Sequence, residues 1–183
     1  MQFNEDGRLI KLGVIGLGGR GFGWVKALTE MKDVEIVAVS DVYQDRIDRA
    51  AQHVEENKGK RPAGYTDYHQ LLAESDAEAI VVFTSWETHI RVGIDALKSG
   101  RRVGLEVGGA CSMEECWEMV HASEQTGIPL MLLENCCYGE NEMMVLNMVK
   151  KGLFGTLVHC QGGYQHDLRV EIGNGDVNRH YRQ

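Results

Sequence analysis

The sequence predicts an α/β fold built on a doubly wound parallel sheet, and three observations carry that prediction. Short apolar runs alternate with helical patterns as far as Leu133, as strands joined by crossover helices must. The runs are apolar throughout, Ala79 to Phe83 reading Ala-Ile-Val-Val-Phe, so both faces of the sheet should be covered. The first run leads directly into Gly16, Gly18 and Gly21, at G-x-G-x-x-G spacing with a helical pattern behind them. In that setting the glycines have distinct tasks: a tight turn off the strand, backbone approach to a pyrophosphate, and close packing of helix on sheet.

Composition bounds the rest. At 183 residues, 43% hydrophobic and 25% charged, the chain can bury a core without staples. Its net charge of −8 argues against partners such as nucleic acid or an anionic membrane. The five cysteines include no C-x-x-C pair, which points to reduced, mostly buried thiols and a cytoplasmic location. Met1 to Gly7 is polar rather than a basic segment followed by an apolar run, and no stretch approaches a membrane span.

In chain order, Leu9 to Ile15 reads as the first strand. Phe22 to Met31 reads as the first helix, with Trp24, Val25 and Leu28 on its apolar stripe. An anion would rest on the N–H groups and positive dipole end of this helix. Val34 to Val39 is the second strand, followed by Asp41, twenty residues beyond Gly21. A carboxylate there accepts hydrogen bonds from an adenosine ribose and repels a 2′-phosphate, favouring NAD over NADP. The alternative is an N-cap for the next helix. That helix spans Gln44 to Asn57, a basic loop follows at Lys58 to Arg61, and Tyr65 to Ala73 supplies a short strand and a helical turn. Ala79 to Phe83 is a strand, Glu87 to Ser99 a helix stopped by Gly100, and Arg102 to Glu106 another strand. Ser112-Met-Glu-Glu115 is a capping box opening a helix to Thr126, and Pro129 to Leu133 is the last apolar strand. Beyond it the rhythm changes. Glu140 to Lys151 is a methionine-rich helix expected to pack, and Leu157 to Tyr164 alternates like a half-buried strand. The expected division is a dinucleotide domain over 1–134 and the truncated start of a second domain over 135–183.

The order Gly16-Leu-Gly-Gly-Arg-Gly21, Asp41, Thr84-Ser-Trp-Glu-Thr-His89 and Glu106 resembles the NAD(P)-dependent oxidoreductases typified by glucose-fructose oxidoreductase and inositol dehydrogenase. The resemblance implies an N-terminal Rossmann domain and a C-terminal α/β domain with an open antiparallel sheet. Two departures stand out. Sugar dehydrogenases of this family carry Glu-Lys-Pro where this chain has Glu106-Val107-Gly108, and Thr-Pro-Asn where it has Thr84-Ser85-Trp86. These departures resemble a particular branch, the NAD-dependent glycoside hydrolases of the α-N-acetylgalactosaminidase type. So do Glu106-Val-Gly-Gly-Ala110, Glu134-Asn-Cys-Cys-Tyr138, Val145-Leu-Asn-Met-Val149 and Gly162-Gly-Tyr-Gln-His-Asp-Leu168. The branch oxidises the sugar at C3, eliminates the glycosidic bond, adds water and reduces the ketone again, with NAD recycled in place. This differs from hydrolysis by two carboxylates.

The resemblance implies roles residue by residue. Gly16, Gly18, Arg20 and Gly21 serve the pyrophosphate and Asp41 the ribose. Trp86, Glu87, Thr88 and His89, with Glu106 and Val107, line the nicotinamide half, and Asn135 lies near the ring. Tyr138 is an acid/base candidate, Tyr164 contacts the substrate, and Arg182, or alternatively Arg179, holds the sugar. The bland readings are that Trp86 packs and His89 caps a helix. No histidine shows metal-ligand spacing. Three functions stay open: the glycosidase on a carbohydrate substrate, a sugar or cyclitol oxidoreductase, and a non-catalytic NAD-binding fragment. An exposed sheet edge in a half-built second domain would favour a homo-oligomer.

Overall fold

The computed structural model describes residues 8–163 together with 165, 167 and 169. They divide into two compact units, one ending at Leu133 and the other beginning at Glu134.

The first unit holds six strands: β1 (Ile10–Ile15), β2 (Val34–Ser40), β3 (Ala63–Tyr65), β4 (Ala79–Val82), β5 (Arg102–Glu106) and β6 (Leu130–Leu133). They form one sheet in the order β3-β2-β1-β4-β5-β6, every neighbouring pair parallel. This is the doubly wound sheet the apolar runs predict. The strand order reverses between β1 and β4, which opens a crevice at the carboxyl ends of those two strands. The helices are α1 (Gly19–Glu30), α2 (Gln44–Lys58), α3 (Tyr68–Glu74), α4 (Trp86–Lys98) and α5 (Met113–Thr126).

Alternation along each strand splits the core in two. Val14, Val39 and Phe83 point to the face covered by Val25 and Leu28 of α1 and by Ile47 and Val54 of α2. Their neighbours Ile15, Ala38 and Val82 point to the face covered by Leu71 of α3, Ile90 and Leu97 of α4 and Ala122 of α5. Helix ends follow the expected chemistry. Gly100 and Gly127 take positive φ after α4 and α5, and Ser112 Oγ accepts from Glu115 N at 3.2 Å while Glu115 Oε2 accepts from Cys111 N at 2.5 Å. One boundary moves: α1 begins at Gly19 rather than Phe22, because three of its first five residues are glycines that hide the helical pattern in the sequence.

The second unit contains α6 (Glu140–Lys150). Here two expectations are corrected. Residues 157–163 form no strand, since nothing among the described residues of this unit offers them a ladder partner. The methionine-bearing stripe of α6 buries no residue, because no second helix or strand among the described residues of this unit covers it. The cysteines are likewise not mostly buried: Cys111, Cys136, Cys137 and Cys160 are exposed and Cys116 is half-buried, all as free thiols. Among the described residues no helix is long and apolar enough to cross a membrane.

Candidate functional site

The crevice between β1 and β4 is floored by the glycine loop. Gly16 leaves β1 with φ +91°, and a Cβ on it would lie 2.5 to 2.7 Å from Phe83 C, Phe83 O and Thr84 N at the end of β4. Only glycine tolerates both that φ and that contact. A Cβ on Gly21 would stand 1.9 Å from the Gly16 carbonyl oxygen, so this glycine lets α1 close onto the turn. Gly18 differs. The nearest atoms to its missing Cβ belong to Arg46, at 3.6 and 4.0 Å, an ordinary contact. The chain itself therefore does not demand glycine at 18, whereas a ligand lying against the loop would. Gly18 is also the N-cap of α1, no side chain caps that end, and its first turn carries no acid. A helix end so arranged leaves its first N–H groups and positive dipole to an anion. These features fit a dinucleotide pyrophosphate.

Asp41, just past β2, is buried at 8% exposure. Its Oδ2 accepts from Leu17 N at 2.7 Å and its Oδ1 from Tyr43 N at 3.0 Å. The N-cap of α2 is Tyr43, so Asp41 braces the residue before the helix rather than capping it. Arg46, on the first turns of α2, reaches back with Nη1 3.4 Å from Asp41 Oδ2 and its guanidinium 4.7 Å from the centre of the Tyr43 ring. Arg49, one helical turn on, donates from Nη2 to the Leu17 carbonyl at 2.9 Å. Neither arginine belongs to a motif in the sequence. Their signal was their place on the first turns after the acid that ends β2.

A second cluster forms where β5 ends. The carboxylate of Glu106, buried at 7% exposure, accepts from Arg20 Nε at 2.8 Å, Trp24 Nε1 at 3.1 Å and Val107 N at 3.0 Å. Hydrogen bonding to Glu106 raises the Arg20 guanidinium above its ordinary pKa, and about half of that side chain remains exposed. Trp24 stacks on Phe83 with ring centres 6.0 Å apart. Its indole N–H toward Glu106 was not foreseen, since at sequence level Trp24 is one more residue of an apolar stripe.

His89, at 1% exposure, is the interior anchor of the same corner. Its Nε2 lies 2.7 Å from the Glu106 carbonyl oxygen and its Nδ1 3.2 Å from Thr84 Oγ1. A carbonyl can only accept, so Nε2 carries the proton and Nδ1 accepts from the Thr84 hydroxyl. Burial pushes the imidazole below its usual pKa, which keeps it neutral. The ring also lies over Gly108, where a Cβ would come within 2.8 Å of His89 Cδ2. Position 108 is thus restricted to glycine while His89 stays in place. Trp86, Glu87 and Thr88 form the exposed first turn of α4, and Val107 is exposed at the tip of β5.

Thus Gly16, Gly18, Arg20, Gly21, Asp41, Trp86, Glu87, Thr88, His89, Glu106 and Val107 all lie at the carboxyl ends of β1, β2, β4 and β5, or on the helix turns that follow. Asn135 and Tyr138 belong to the second unit and are exposed, Asn135 N donating to Glu134 Oε1 at 3.0 Å. Tyr164, Arg179 and Arg182 lie outside the described residues. Among the described residues no three His, Cys, Asp or Glu side chains converge to hold a metal ion. Two shallow grooves of about 360 and 370 Å³ run along α4, lined by Arg91 and Lys98 among others, and share no residue with the glycine loop.

Residues 10–133 match the model of an oxidoreductase family with an NAD-binding Rossmann fold, and residues 138–181 match the C-terminal domain of glycosyl hydrolase 109. An alpha-N-acetylgalactosaminidase of Shewanella oneidensis is 39% identical over 168 residues, covering 90% of this chain and 37% of that protein. A glycosyl hydrolase family 109 protein of a Shewanella species is 40% identical over the same span and shares. The chain therefore spans a little over a third of the length of the curated relatives it matches. Among solved structures, apo scyllo-inositol dehydrogenase from Lactobacillus casei superposes with a TM-score of 0.74 at 18% identity, over 81% of this chain and 44% of that one. The same enzyme with bound NAD(H) and scyllo-inositol gives 0.72 at 18% identity, over 81% and 43%. At such identities the likeness concerns the fold alone.

Proposed function

The chain belongs to the oxidoreductase family with an NAD-binding Rossmann fold, and from that premise we propose that it works as an NAD-dependent glycosidase on α-N-acetylgalactosaminides. The observation that carries this reading is the corner at Glu106-Val107-Gly108. A sugar dehydrogenase of the family needs a lysine at the tip of this strand to assist proton transfer, and here the exposed tip is Val107. The following position has no room for a proline, because the His89 ring occupies the place of its Cβ. The likeness of residues 138–181 to the glycosyl hydrolase 109 C-terminal domain points the same way.

In this reading residues 1–134 hold the dinucleotide and 135–183 begin the substrate domain. Gly16 and Gly21 shape the turn, and Gly18, Arg20 and the N-terminus of α1 bind the pyrophosphate. Asp41 serves the ribose side. Glu106 holds Arg20 in place, while Val107 and the Trp86-Glu87-Thr88-His89 turn line the nicotinamide half. His89, neutral and buried, fixes the Glu106 main chain rather than exchanging protons. Asn135 sits by the ring, Tyr138 moves a proton, and Tyr164 and Arg182 contact the sugar. Held by these residues, a bound NAD would supply a reversible hydride acceptor, and the reaction would have no net redox change.

The test is p-nitrophenol release from p-nitrophenyl α-N-acetylgalactosaminide, with and without NAD. Release that depends on NAD without accumulation of NADH is expected. Stoichiometric NADH from a free sugar would establish the oxidoreductase reading instead. NAD binding without any turnover would leave a dinucleotide-binding unit alone.

A further inference from the structure

The β4–β5 ladder ends at Val82 and Leu105, which leaves Glu106 and Val107 beyond its last pair on the side of the crevice. Two side chains from opposite faces of the sheet tie them down. His89 of α4 holds the main chain, its Nε2 donating to the Glu106 carbonyl oxygen at 2.7 Å. Trp24 of α1 holds the carboxylate, its Nε1 donating to Oε2 at 3.1 Å. The same oxygen accepts from Arg20 Nε at 2.8 Å, and Oε1 accepts from Val107 N at 3.0 Å. One orientation of this carboxylate therefore sets both the Arg20 guanidinium and the Val107 main chain.

The indole is itself fixed. It stacks on Phe83 with ring centres 6.0 Å apart and planes inclined by 21°, and the main chain of Phe83 is what presses on the Gly16 turn. The Arg20 guanidinium lies 5.9 Å from the indole centre, within reach of its π face. An indole N–H can only donate, so Trp24 has one polar task here, to hold a carboxylate whose side chain is 9% exposed. Packing asks nothing of that N–H, since a phenylalanine ring would also stack on Phe83. A charge-assisted hydrogen bond is the stronger kind, and holding charged groups in binding geometry beforehand lowers the cost of ordering them around a ligand.

We infer that Trp24 is a positioning residue for the dinucleotide: acting through Glu106, it sets Arg20 for the pyrophosphate and Val107 for the nicotinamide half. The inference rests on the NAD reading above, and the experiment separates the two. Calorimetric titration with NAD and with 5′-AMP compares the parent full chain with Trp24→Phe, Glu106→Ala and the double variant. Trp24→Phe keeps the ring stack and removes the N–H, and it should weaken NAD by about tenfold, the worth of one hydrogen bond to a charged group. The same variant should change 5′-AMP, which has neither pyrophosphate nor nicotinamide half, by less than about twofold. In the Glu106→Ala background Trp24→Phe should have no further effect on NAD, because the carboxylate it acts through is gone. The contrast between the two nucleotides in Trp24→Phe reads the inference independently of how well Glu106→Ala folds. A tryptophan that merely packs would give equal losses in both backgrounds, or weaken NAD and 5′-AMP in parallel. Either result, or equal NAD affinity in the parent and Trp24→Phe, would overturn the inference and leave the NAD site standing. A parent chain that binds neither nucleotide would remove both.

Discussion

Two alanine substitutions one helical turn apart or less should shift stability in opposite directions. In Gly21→Ala the new Cβ lies 1.9 Å from the Gly16 oxygen, 2.9 Å from the Gly16 carbon and 3.2 Å from Phe83 Cβ. Two of these are backbone atoms, so no rotamer change relieves the contact, and α1 must separate from the turn by about an ångström, an overpacking cost of roughly 3 kcal/mol. Against this, alanine gains at most about 1 kcal/mol over glycine within a helix. The clash wins by about 2 kcal/mol, which lowers Tm by about 4 to 8 °C for a chain of this length. At Gly23, on the exposed side of the same helix, nothing lies within 4 Å of the added Cβ. There only the propensity gain operates, and Tm should rise by about 2 °C or more. Thermal unfolding followed by circular dichroism reads both effects. NAD titration should show binding lost in Gly21→Ala, where the helix N-terminus is displaced, and kept in Gly23→Ala. A Gly21→Ala protein as stable as the parent, or a Gly23→Ala protein that drops with it, would refute the assignment of the two glycines.

Three further outcomes follow from the same geometry. Glu106→Ala strips the acceptor from the Trp24 indole and from Val107 N, while the half-exposed Arg20 simply returns to water. Two orphaned donors cost about 2 to 4 kcal/mol, or about 5 to 10 °C in Tm, and an unchanged melting curve would show that the cluster does not brace the corner. His89 has its folded-state pKa depressed by burial below the ordinary 6.5. The unfolded chain therefore binds the extra proton first, and its contribution to stability is full above pH 6.5 and is lost as pH falls through the folded value. Tm measured across that window should fall more steeply for the parent than for His89→Gln, and parallel slopes would sink the assignment. Finally, Met131 and Leu132 on the edge strand β6, with Trp117 and Val120 on α5 and the apolar side chains of α6, are exposed. Light scattering should show concentration-dependent self-association, whereas a monodisperse monomer at every concentration would contradict it.

Features that depend on local or periodic information are legible in the chain order alone. Apolar alternation set the strands and the doubly wound sheet, because each parallel strand must be covered on both faces. Glycine spacing marked the crevice, because the turn's φ and the 1.9 Å contact at Gly21 exclude every side chain wherever the fold occurs. The capping box and the glycines after α4 and α5 were legible for the same reason. Tertiary structure decided everything that joins distant positions. Arg20 and Trp24 meet Glu106 across more than eighty residues, His89 closes over Gly108, and Arg46 overhangs Gly18 from another helix. None of these leaves a periodic trace in the text. The same holds where expectation failed: whether residues 157–163 form a strand, or the α6 stripe and the cysteines become core, depends on a covering partner. Pattern declares that a face can be buried, and only the neighbouring elements decide whether it is.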